Sequence, residues 1–469
     1  MSKLVDDFEL YTTQKMLQES FDTNGFLNMD IPSSQSVLGI KVDSLLKPAD
    51  TLTRVAEVST ITNPVPIKYG DTSAIDSFAR LRVSNPEFRF DGRFVYGISS
   101  DNWDQVASGS GSSLTWDSTN RWTQLTAVSS GSNSGYARLQ SHYHAIYTPG
   151  RSQLILMTGL FGSTPGSGAL RRAGYRCIAD DLGIYLEQTY NSVNFVLKGK
   201  TSYPTQIISQ SQWNIDKFDG TGTSGVTLDL TKVQILVIDL QALYAGRVRC
   251  GFDVNGIIFW AHQFLHSNFI SYPYIQNASL PISYECYTTG PTVSMNALCS
   301  SAMSEGGVTL NDIPGREFTV NTVITPIAVT TRRSILTIRA KATLNGVMQH
   351  IIGLPLNADL LADAEVLLEL VRNPSALGGT PTFSDVDTSN SAMEYSTNVT
   401  TVTEGTIIYS SYVPATTGKN TNIASAILTG RMTIVYSHLL QQGDVLSLVA
   451  TSITGTANTL GSLTWKEVR

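Results

Sequence analysis

One dipeptide, Asn255-Gly256, constrains the fold of this chain more than any other short stretch. It lies between two alternating apolar runs, a setting that favours a type I′ turn, in which both central residues need positive φ. The sequence therefore predicts a β-hairpin whose core residues are Phe252, Asn255, Gly256, Phe259 and Trp260. Pairing outward from the turn predicts these cross-strand neighbours: Val254 with Ile257, Phe252 with Phe259, Gly251 with Trp260, Cys250 with Ala261, and Arg249 with His262.

The strand before this hairpin indicates a layered β architecture. Residues 233–240 are apolar on both faces, so this strand is predicted to be central and covered on each side. Between residues 137 and 285, short apolar runs alternate with turn signals, a pattern typical of a β-sandwich or jelly roll. We predict an all-β fold. Residues 362–374 have a composition that suits a helix or a strand, and their periodicity does not decide between them.

Length and charge set the domain organisation and exclude one class of partner. A chain of 469 residues is too long for one ordinary core. We predict an extended N-terminal arm over residues 1–70, a jelly-roll-like domain over 71–300, a crossover linker over 301–332 and a C-terminal β-sandwich over 333–469. With a net charge of −6 and no basic patch to neutralise phosphates, no nucleic-acid partner is expected. Because only 15% of residues are charged, much of the surface is neutral and polar or is covered by other subunits.

Cysteine spacing and hydropathy add two expectations. The four cysteines, Cys177, Cys250, Cys286 and Cys299, show no paired spacing and are expected to be free thiols. The first residues lack the basic and apolar regions of a secretory signal, and no apolar run is long enough to cross a bilayer as a helix. We therefore expect no membrane insertion.

A stretch near the start of the first predicted domain carries a family resemblance. The residues that match the signature DAFGRLRVS-x-P are Ala74, Asp76, Phe78, Arg80, Leu81, Arg82, Val83, Ser84 and Pro86. Further matches lie in residues 237–241, 246–249, 251–252, 262–268 and 444–467. On these residues the chain resembles a family of tailed-bacteriophage virion structural proteins. Ala79 stands where that family usually has glycine, so the backbone there is expected not to be left-handed.

The resemblance implies a non-enzymatic structural component of a phage particle, placed in the tail, baseplate or neck or decorating the head. We expect a homo-oligomer, with a trimer preferred, that contacts other virion proteins. Its place would be the virion, after synthesis in the cytoplasm of the host bacterium. The alternative is a receptor- or glycan-binding module of a tail fibre, with a host surface glycan as partner. A polysaccharide-cleaving tailspike is disfavoured, because the repeat periodicity of a β-helix is not visible.

Three tryptophans, Trp103, Trp116 and Trp122, are spread through a stretch rich in serine and glycine. Flexible linkers rarely contain tryptophan, so these side chains are predicted to anchor strands or loops against the sheet. The alternative is a platform of stacked aromatic rings that binds glycans.

Within the signature, Arg80 and Arg82 alternate with Leu81 and Val83. On an extended strand this places the guanidinium groups on one side and the apolar pair on the other. We predict that Leu81 and Val83 seat the segment on the first domain, while the arginines bind carboxylates and hold the N-terminal arm. The alternative is a solvated strand edge, in which each ion pair contributes at most about 1 kcal/mol.

Candidate chemistry elsewhere is sparse, and we expect no catalytic residue, cofactor or metal site. His262 and His266 are four apart on a predicted strand, roughly 13 Å, which is too far for one zinc ion. His142 and His144 are better spaced, but no third ligand is evident from the sequence.

Acidic motifs have equally plain interpretations. The stretch Asp385-x-Asp387-x-Ser389 lacks the glycine and the closing glutamate of a calcium loop, which favours an Asx-rich turn. Asp180 and Asp181 are adjacent and would point to opposite faces of a strand, so they do not form a glycosidase pair.

Overall fold

The structure is a computed structural model that describes residues 36–37, 40–41, 75–77, 80–82, 85–131, 133–306, 309, 311–414, 424–428 and 432–469. The chain divides into two compact units, Met1–Gly70 and Asp71–Arg469. In the first unit, β1 (Ser36–Val37) and β2 (Ile40–Lys41) pair as an antiparallel ladder. The extended arm predicted for residues 1–70 otherwise lies outside the described residues, as does Val83 of the signature.

The second unit begins with a sandwich of fifteen strands, β3–β17, and one turn of 3₁₀ helix at Gln210–Gln212. The strands are β3 (Glu87–Arg93), β4 (Trp103–Ser108), β5 (Ser113–Asp117), β6 (Trp122–Ala127), β7 (Gly135–Ser141), β8 (Gln153–Leu160), β9 (Ala169–Cys177), β10 (Leu182–Thr189), β11 (Val193–Lys198), β12 (Gln206–Ser209), β13 (Gln234–Leu240), β14 (Val248–Val254), β15 (Ile257–Phe264), β16 (Ile282–Thr288) and β17 (Val293–Ser304).

Two antiparallel sheets form this first sandwich. The seven-stranded sheet has the order β12-β11-β10-β9-β16-β7-β4, and the eight-stranded sheet has the order β15-β14-β13-β8-β17-β6-β5 with β3 also paired to β17. Apolar side chains from both sheets meet in one buried core, including Ile155 and Phe252 from one sheet and Tyr175, Leu186 and Phe195 from the other. The predicted all-β, jelly-roll-like sandwich is confirmed.

A second sandwich follows, with seventeen strands, β18–β34. They are β18 (Arg316–Asn321), β19 (Ile327–Val329), β20 (Arg333–Ala340), β21 (Thr343–Leu344), β22 (Val347–Met348), β23 (Ile352–Ala362), β24 (Val366–Arg372), β25 (Ala376–Leu377), β26 (Ser384–Asp385), β27 (Met393–Ser396), β28 (Val402–Thr403), β29 (Thr406–Val413), β30 (Ala424–Ile427), β31 (Tyr436–Ser437), β32 (Gln442–Gly443), β33 (Val445–Ser452) and β34 (Ala457–Val468).

This second sandwich has its own core between a five-stranded and a six-stranded sheet. The sheets have the orders β18-β34-β23-β30, with β19 also on β34, and β26-β27-β20-β33-β24-β29. Residues 366–372, in the stretch that suits helix or strand, form β24, which lies between β29 and β33. Residues 301–332, predicted as a linker, hold the end of β17 and also β18 and β19, which pair with β34.

The Asn255-Gly256 turn has the backbone that its sequence favours. Both residues have positive φ, 55° at Asn255 and 87° at Gly256. Outward from the turn, β14 and β15 pair Val254 with Ile257, Phe252 with Phe259, and Gly251 with Trp260. Phe252 is fully buried in the core, whereas Phe259 is only partly buried against it.

Beyond Gly251 the predicted register is wrong, because the ladder shifts by a β-bulge. Cys250 lies opposite His262 rather than Ala261, and Arg249 lies opposite Gln263 rather than His262. The extra residue, Ala261, turns its carbonyl oxygen away from β14 and accepts the backbone N–H groups of Ile215 and Asp216, at 3.0 and 3.1 Å. A loop from another part of the chain therefore decides the register.

A histidine flanked by two carboxylates joins the two sandwiches. His142 donates from Nδ1 to Asp104 of the first sandwich at 2.8 Å and from Nε2 to Asp444 of the second at 3.0 Å. Burial by itself lowers the pKa of His142, but the hydrogen bonds to the two carboxylates outweigh it and raise that pKa to about 10. His142 is therefore an imidazolium at neutral pH. Together with the Arg372 guanidinium, which lies 3.5 Å from Asp444, it pairs with the two carboxylates that are buried between the sandwiches.

Replacing Gly256 by valine should lower the free energy of unfolding by about 2 kcal/mol. No heavy atom lies within 4 Å of the position of an added Cβ, so the cost comes from forcing a β-branched residue to positive φ. Gly256→Asn is the control, since asparagine tolerates this conformation, and should keep most of the stability in urea unfolding. Equal losses in the two variants would contradict a backbone origin.

Replacing His142 by glutamine should lower the free energy of unfolding by about 3 kcal/mol, because Asp104 would lose its imidazolium partner and Asp444 would keep only Arg372. The control is His262→Gln, which removes another buried histidine, one whose Nδ1 accepts a backbone N–H from Asn214. His262→Gln should lower the free energy of unfolding by about 1 kcal/mol. Chemical unfolding measures both, and a control that costs as much as His142→Gln would refute the role of the imidazolium.

Candidate functional site

The described part of the phage-like signature lies against β13 and β14. Arg82 donates to the Asp239 carboxylate of β13 at 2.8 Å and also pairs with Glu305. Arg249 of β14 pairs with the same Asp239 oxygen and donates to the backbone carbonyl of Ile75 at 3.0 Å. The segment therefore covers the outer face of β13 near Asp239, and the strand is buried on both faces from Leu236 to Leu240. The prediction of a strand covered along residues 233–240 is wrong at its start, where Val233 and Ile235 are exposed.

Asp239 is the centre of this contact. Its side chain is fully buried, and its second oxygen accepts a hydrogen bond from the Ser152 hydroxyl at 2.6 Å. The guanidinium of Arg249 is equally buried and lies 4.3 Å from the ring centre of Trp260, a cation–π contact. A buried carboxylate needs partners of this kind, since an unpaired charge in the interior is very costly.

One prediction about the signature needs correction. Leu81 is 41% exposed and does not seat the segment, and Ile75, only 5% exposed, fills that role instead. Arg80 binds a carboxylate, as predicted: two of its guanidinium nitrogens lie 2.7 Å and 2.9 Å from Asp76 of the same segment, and a third donates to the Gly150 carbonyl at 3.2 Å. Its side chain is about half exposed. Of the two arginines, Arg82 is the one that ties the signature to a distant strand.

The turn between β13 and β14 is strained. Three successive residues that are not glycine, Ala242, Leu243 and Tyr244, have left-handed φ angles of 45°, 44° and 57°. Each costs about 1–2 kcal/mol relative to a right-handed backbone. Gly246 closes this turn by donating to the Ala242 carbonyl at 2.7 Å, and an added Cβ at Gly246 would lie 2.5 Å from that oxygen. Strain that persists in a folded chain is typical of functional surfaces.

A second loop, between β15 and β16, is joined to this turn. Tyr274 donates its backbone N–H to the Tyr244 carbonyl at 2.9 Å, and Nδ1 of His266 lies 2.7 Å from the Gly246 carbonyl. Together the two loops present large apolar side chains to solvent. We call this set the end-loop patch; its members and exposed fractions are Leu243 47%, Tyr244 42%, Leu265 49%, Phe269 76% and Tyr272 55%. Exposed apolar groups in such density indicate an interaction surface.

A cluster of three histidines lies where the two sandwiches meet. His144 follows β7 of the first sandwich, while His350 precedes β23 and His438 follows β31 of the second. One ring nitrogen from each lies within 4.8 Å of the others, and all three side chains are buried. The rings of His144 and His350 are stacked, with centroids 4.5 Å apart. Such nitrogen-rich clusters are candidate sites for a transition metal.

Burial keeps these three imidazoles neutral. It lowers the pKa of His144 well below the usual range, lowers that of His350 to about 4, and lowers that of His438 as well. His350 hydrogen-bonds through Nδ1 to the Ser279 carbonyl, and His438 through Nε2 to the Gln349 carbonyl, each at 2.6 Å. A neutral ring can only donate to a carbonyl, so these bonds assign the proton to those nitrogens.

The other histidine pair of the sequence has no metal-binding geometry. His266 stacks on Tyr274 with ring centres 4.1 Å apart, and His262 packs edge-on against Phe264. Both are also hydrogen-bonded, His262 Nδ1 to the Asn214 N–H and His266 Nδ1 to the Gly246 carbonyl. Asp387, in the stretch that resembles a calcium loop, accepts the backbone N–H groups of Ser389 and Asn390 at 3.0 Å, an Asx turn.

The buried carboxylate of Glu285, on the seven-stranded sheet, is paired with three arginines. Glu285 binds the guanidinium groups of Arg138, Arg172 and Arg176 at 2.7 to 3.1 Å. Burial acts to raise its pKa, but the three arginines outweigh it and lower that pKa to about 2. A general acid needs a raised pKa, so Glu285 is unsuited to that role. Glu187 is likewise paired with Arg172.

Trp103 and Trp116 of the serine-rich stretch are not stacked on each other as a glycan platform, and Trp122 is half-buried at the start of β6. Trp103 is 1% exposed and packs between Phe90 and Phe94, with ring centres 5.1 and 5.3 Å away. Trp116 is half-buried and donates from Nε1 to the Phe94 carbonyl at 2.6 Å. Both anchor strands against the sheet.

Sequence reasoning missed the histidine cluster and the end-loop patch. The signal for the cluster was His142-x-His144, but the other two histidines come from the second sandwich, more than 200 residues later. The end-loop patch had a signal in Leu265, Phe269 and Tyr272, which follow a strand that is already complete.

Comparisons with known proteins find no family. No protein-family model matches the sequence, and no curated protein does. Among solved structures, the chain has TM-scores of 0.29 to the carbohydrate recognition domain of Emp47p, 0.28 to a Bacillus licheniformis β-glucanase and 0.29 to the exoplasmic/lumenal domain of VIP36, at 11%, 11% and 10% identity. Each match covers 48% of this chain. It covers 99% of the Emp47p domain, 100% of the β-glucanase and 92% of the VIP36 domain. Likenesses this weak carry no argument.

Among the described residues, no helix has the length and the apolar character needed to span a membrane.

Arg82→Gln should lower the free energy of unfolding by about 3 kcal/mol, because Asp239 and Glu305 would lose a buried partner. Arg80→Gln is the matched control, two residues away in the same segment, and should cost about 1 kcal/mol because its ion pair is half exposed. Urea unfolding measures both. Equal costs would mean that the signature lies on the surface as a solvated edge and is not anchored through Asp239.

Proposed function

We propose that this chain is a non-enzymatic structural subunit of a tailed-phage particle that works by assembling with copies of itself, preferably as a closed trimer. The observation that carries the proposal is the end-loop patch. Two matched ranges of the family resemblance flank this patch: Gly246, in the range 246–249, closes the strained turn at 242–244, and the range 262–268 leads into the second loop. The resemblance therefore lies beside the residues that form the patch.

The chemistry of the charged groups supports a role without catalysis. Asp239 and Glu285 are buried and paired with arginines, Asp104 is paired with His142, and Asp444 is paired with His142 and Arg372. Carboxylates held in this way fix strands and join sandwiches, and they are not poised to transfer protons. The resemblance to phage structural proteins, in which no reaction is implied, agrees with this.

A closed ring of three copies needs two different surfaces on each subunit. The described residues offer a second exposed apolar group besides the end-loop patch. Val323 and Ile324, in the turn after β18, are 71% and 87% exposed. Val323 has a φ of 54°, an outlier for a β-branched residue. We propose that this turn meets the end-loop patch of the next subunit, and that other virion proteins bind the assembled ring.

The alternative, a receptor- or glycan-binding module, has one observation in its favour. The rings of Tyr244, Phe269 and Tyr272 are exposed in the same pair of loops, and exposed aromatic rings can stack on sugars. A glycan site also needs a set of convergent polar groups in a concavity. Binding of the isolated chain to host surface polysaccharide, with retention of a monomeric state, would favour this alternative.

The double variant Phe269→Ser/Tyr272→Ser should remain folded but become monomeric, because it removes the most exposed aromatic rings of the end-loop patch. The matched control is Tyr412→Ser/Tyr190→Ser, since the exposed fractions of 73% and 56% are close to the 76% and 55% of the test pair. The control should keep the oligomeric mass of the wild type. Light scattering after size-exclusion chromatography at tens of micromolar measures the mass.

Wild-type protein that is monomeric under these conditions would contradict self-assembly. A control variant that dissociates as completely as the test variant would contradict the assignment of the interface to the end-loop patch.

A further inference from the structure

The three clustered histidines have unusual hydrogen bonding. His350 uses Nδ1 for the Ser279 carbonyl, and His438 uses Nε2 for the Gln349 carbonyl. The proton on each ring is thereby assigned, and the lone pair is left on His350 Nε2 and on His438 Nδ1. Ring nitrogens whose opposite nitrogen donates to a backbone carbonyl are the usual form of a metal-binding histidine.

Two of the remaining nitrogens are buried and have no hydrogen-bond partner among the described residues, His144 Nδ1 and His350 Nε2. Buried polar atoms without a partner are rare and call for an explanation, such as a bound ion. Since the atoms of the cluster converge to within 4.8 Å, one ion can satisfy all three rings.

Charged groups of both signs lie near the cluster. The buried Asp180 carboxylate, in the turn between β9 and β10, acts against the lowering of the pKa of His350 and His438, but it also pairs with Lys200. The His142 imidazolium acts to lower the pKa of His144. The geometry of the three rings, rather than the surrounding charge, therefore supports a metal ion.

We propose that His144, His350 and His438 bind one zinc ion, which clamps the first sandwich to the second. Three imidazoles with a fourth position for water form a common tetrahedral zinc site. Zinc–nitrogen bonds of about 2.0–2.1 Å require the nitrogens, which lie within 4.8 Å of one another, to approach to roughly 3.4 Å when the ion binds. The clamp does not depend on the proposed function, because it acts within one subunit.

The neighbouring His142 has a different role. His142 is only two residues from His144, but both of its nitrogens are taken by Asp104 and Asp444. The contact between the two sandwiches therefore contains the ion pairs of His142 and, beside them, the proposed zinc site. Zinc binding to the folded state alone would stabilise it by mass action.

The test uses the full chain without a histidine tag, freed of metal with a chelator and then dialysed. Titration with Co²⁺ should give visible absorption bands of tetrahedral cobalt that saturate at one equivalent and vanish when zinc is added. Zinc at a hundredfold excess over its dissociation constant should raise the melting temperature by several degrees. Absence of one-to-one cobalt binding in the wild type would overturn the proposal, whatever the variants do.

Two variants test which histidines bind the zinc ion. His144→Gln should weaken zinc binding by more than about 100-fold, since even the outer partners of a ligand contribute 10–100-fold. His266→Gln is the control, because His266 is buried against Tyr274 and away from the three ligands, and it should bind one equivalent with unchanged affinity. Unchanged zinc affinity in His144→Gln would also overturn the proposal. If His144→Gln does not fold, the cobalt titration of the wild type decides.

Discussion

The buried carboxylate of Asp239 is the constraint on which the first sandwich depends. It lies on the central strand β13, and it accepts bonds from Arg82, Arg249 and Ser152, which come from three separate parts of the chain. A buried ion pair gives little net stability over well-packed apolar groups, but breaking it leaves a charge in the interior. The chain is therefore held to one arrangement in which the signature segment covers the outer face of β13, and this arrangement positions the adjoining strained turn.

How far the sequence could predict this structure depends on how local each interaction is. The turn at Asn255-Gly256 was predictable because two residues determine their own backbone. The all-β fold followed from alternation and turn signals in the same way. The bulge at Ala261 was not predictable, because the Ala261 carbonyl is bonded by a distant loop at 215–216, and nothing in the sequence of the strand indicates that contact. Leu81 was assigned to the interior because alternation cannot tell which side of an isolated segment faces the protein.

The candidate sites show the same limit more strongly. The histidine cluster draws one residue from the first sandwich and two from the second, and only the packing of the sandwiches brings them together. His142 and His144 look alike in the sequence, yet one faces two carboxylates and the other faces two imidazoles. The end-loop patch was hidden for another reason: apolar residues after a strand are usually core, and exposure can be read only from the folded chain.

The central claim is that the end-loop patch is where copies of this chain meet. Imaging of the intact particle at residue resolution tests it most directly, because every contact of the subunit is then visible. The account predicts closed rotational symmetry, with Phe269 and Tyr272 buried against the turn that carries Val323 and Ile324 of the neighbouring copy. A particle in which the loops at 242–246 and 265–274 face solvent, or the absence of this chain from the particle, would contradict it.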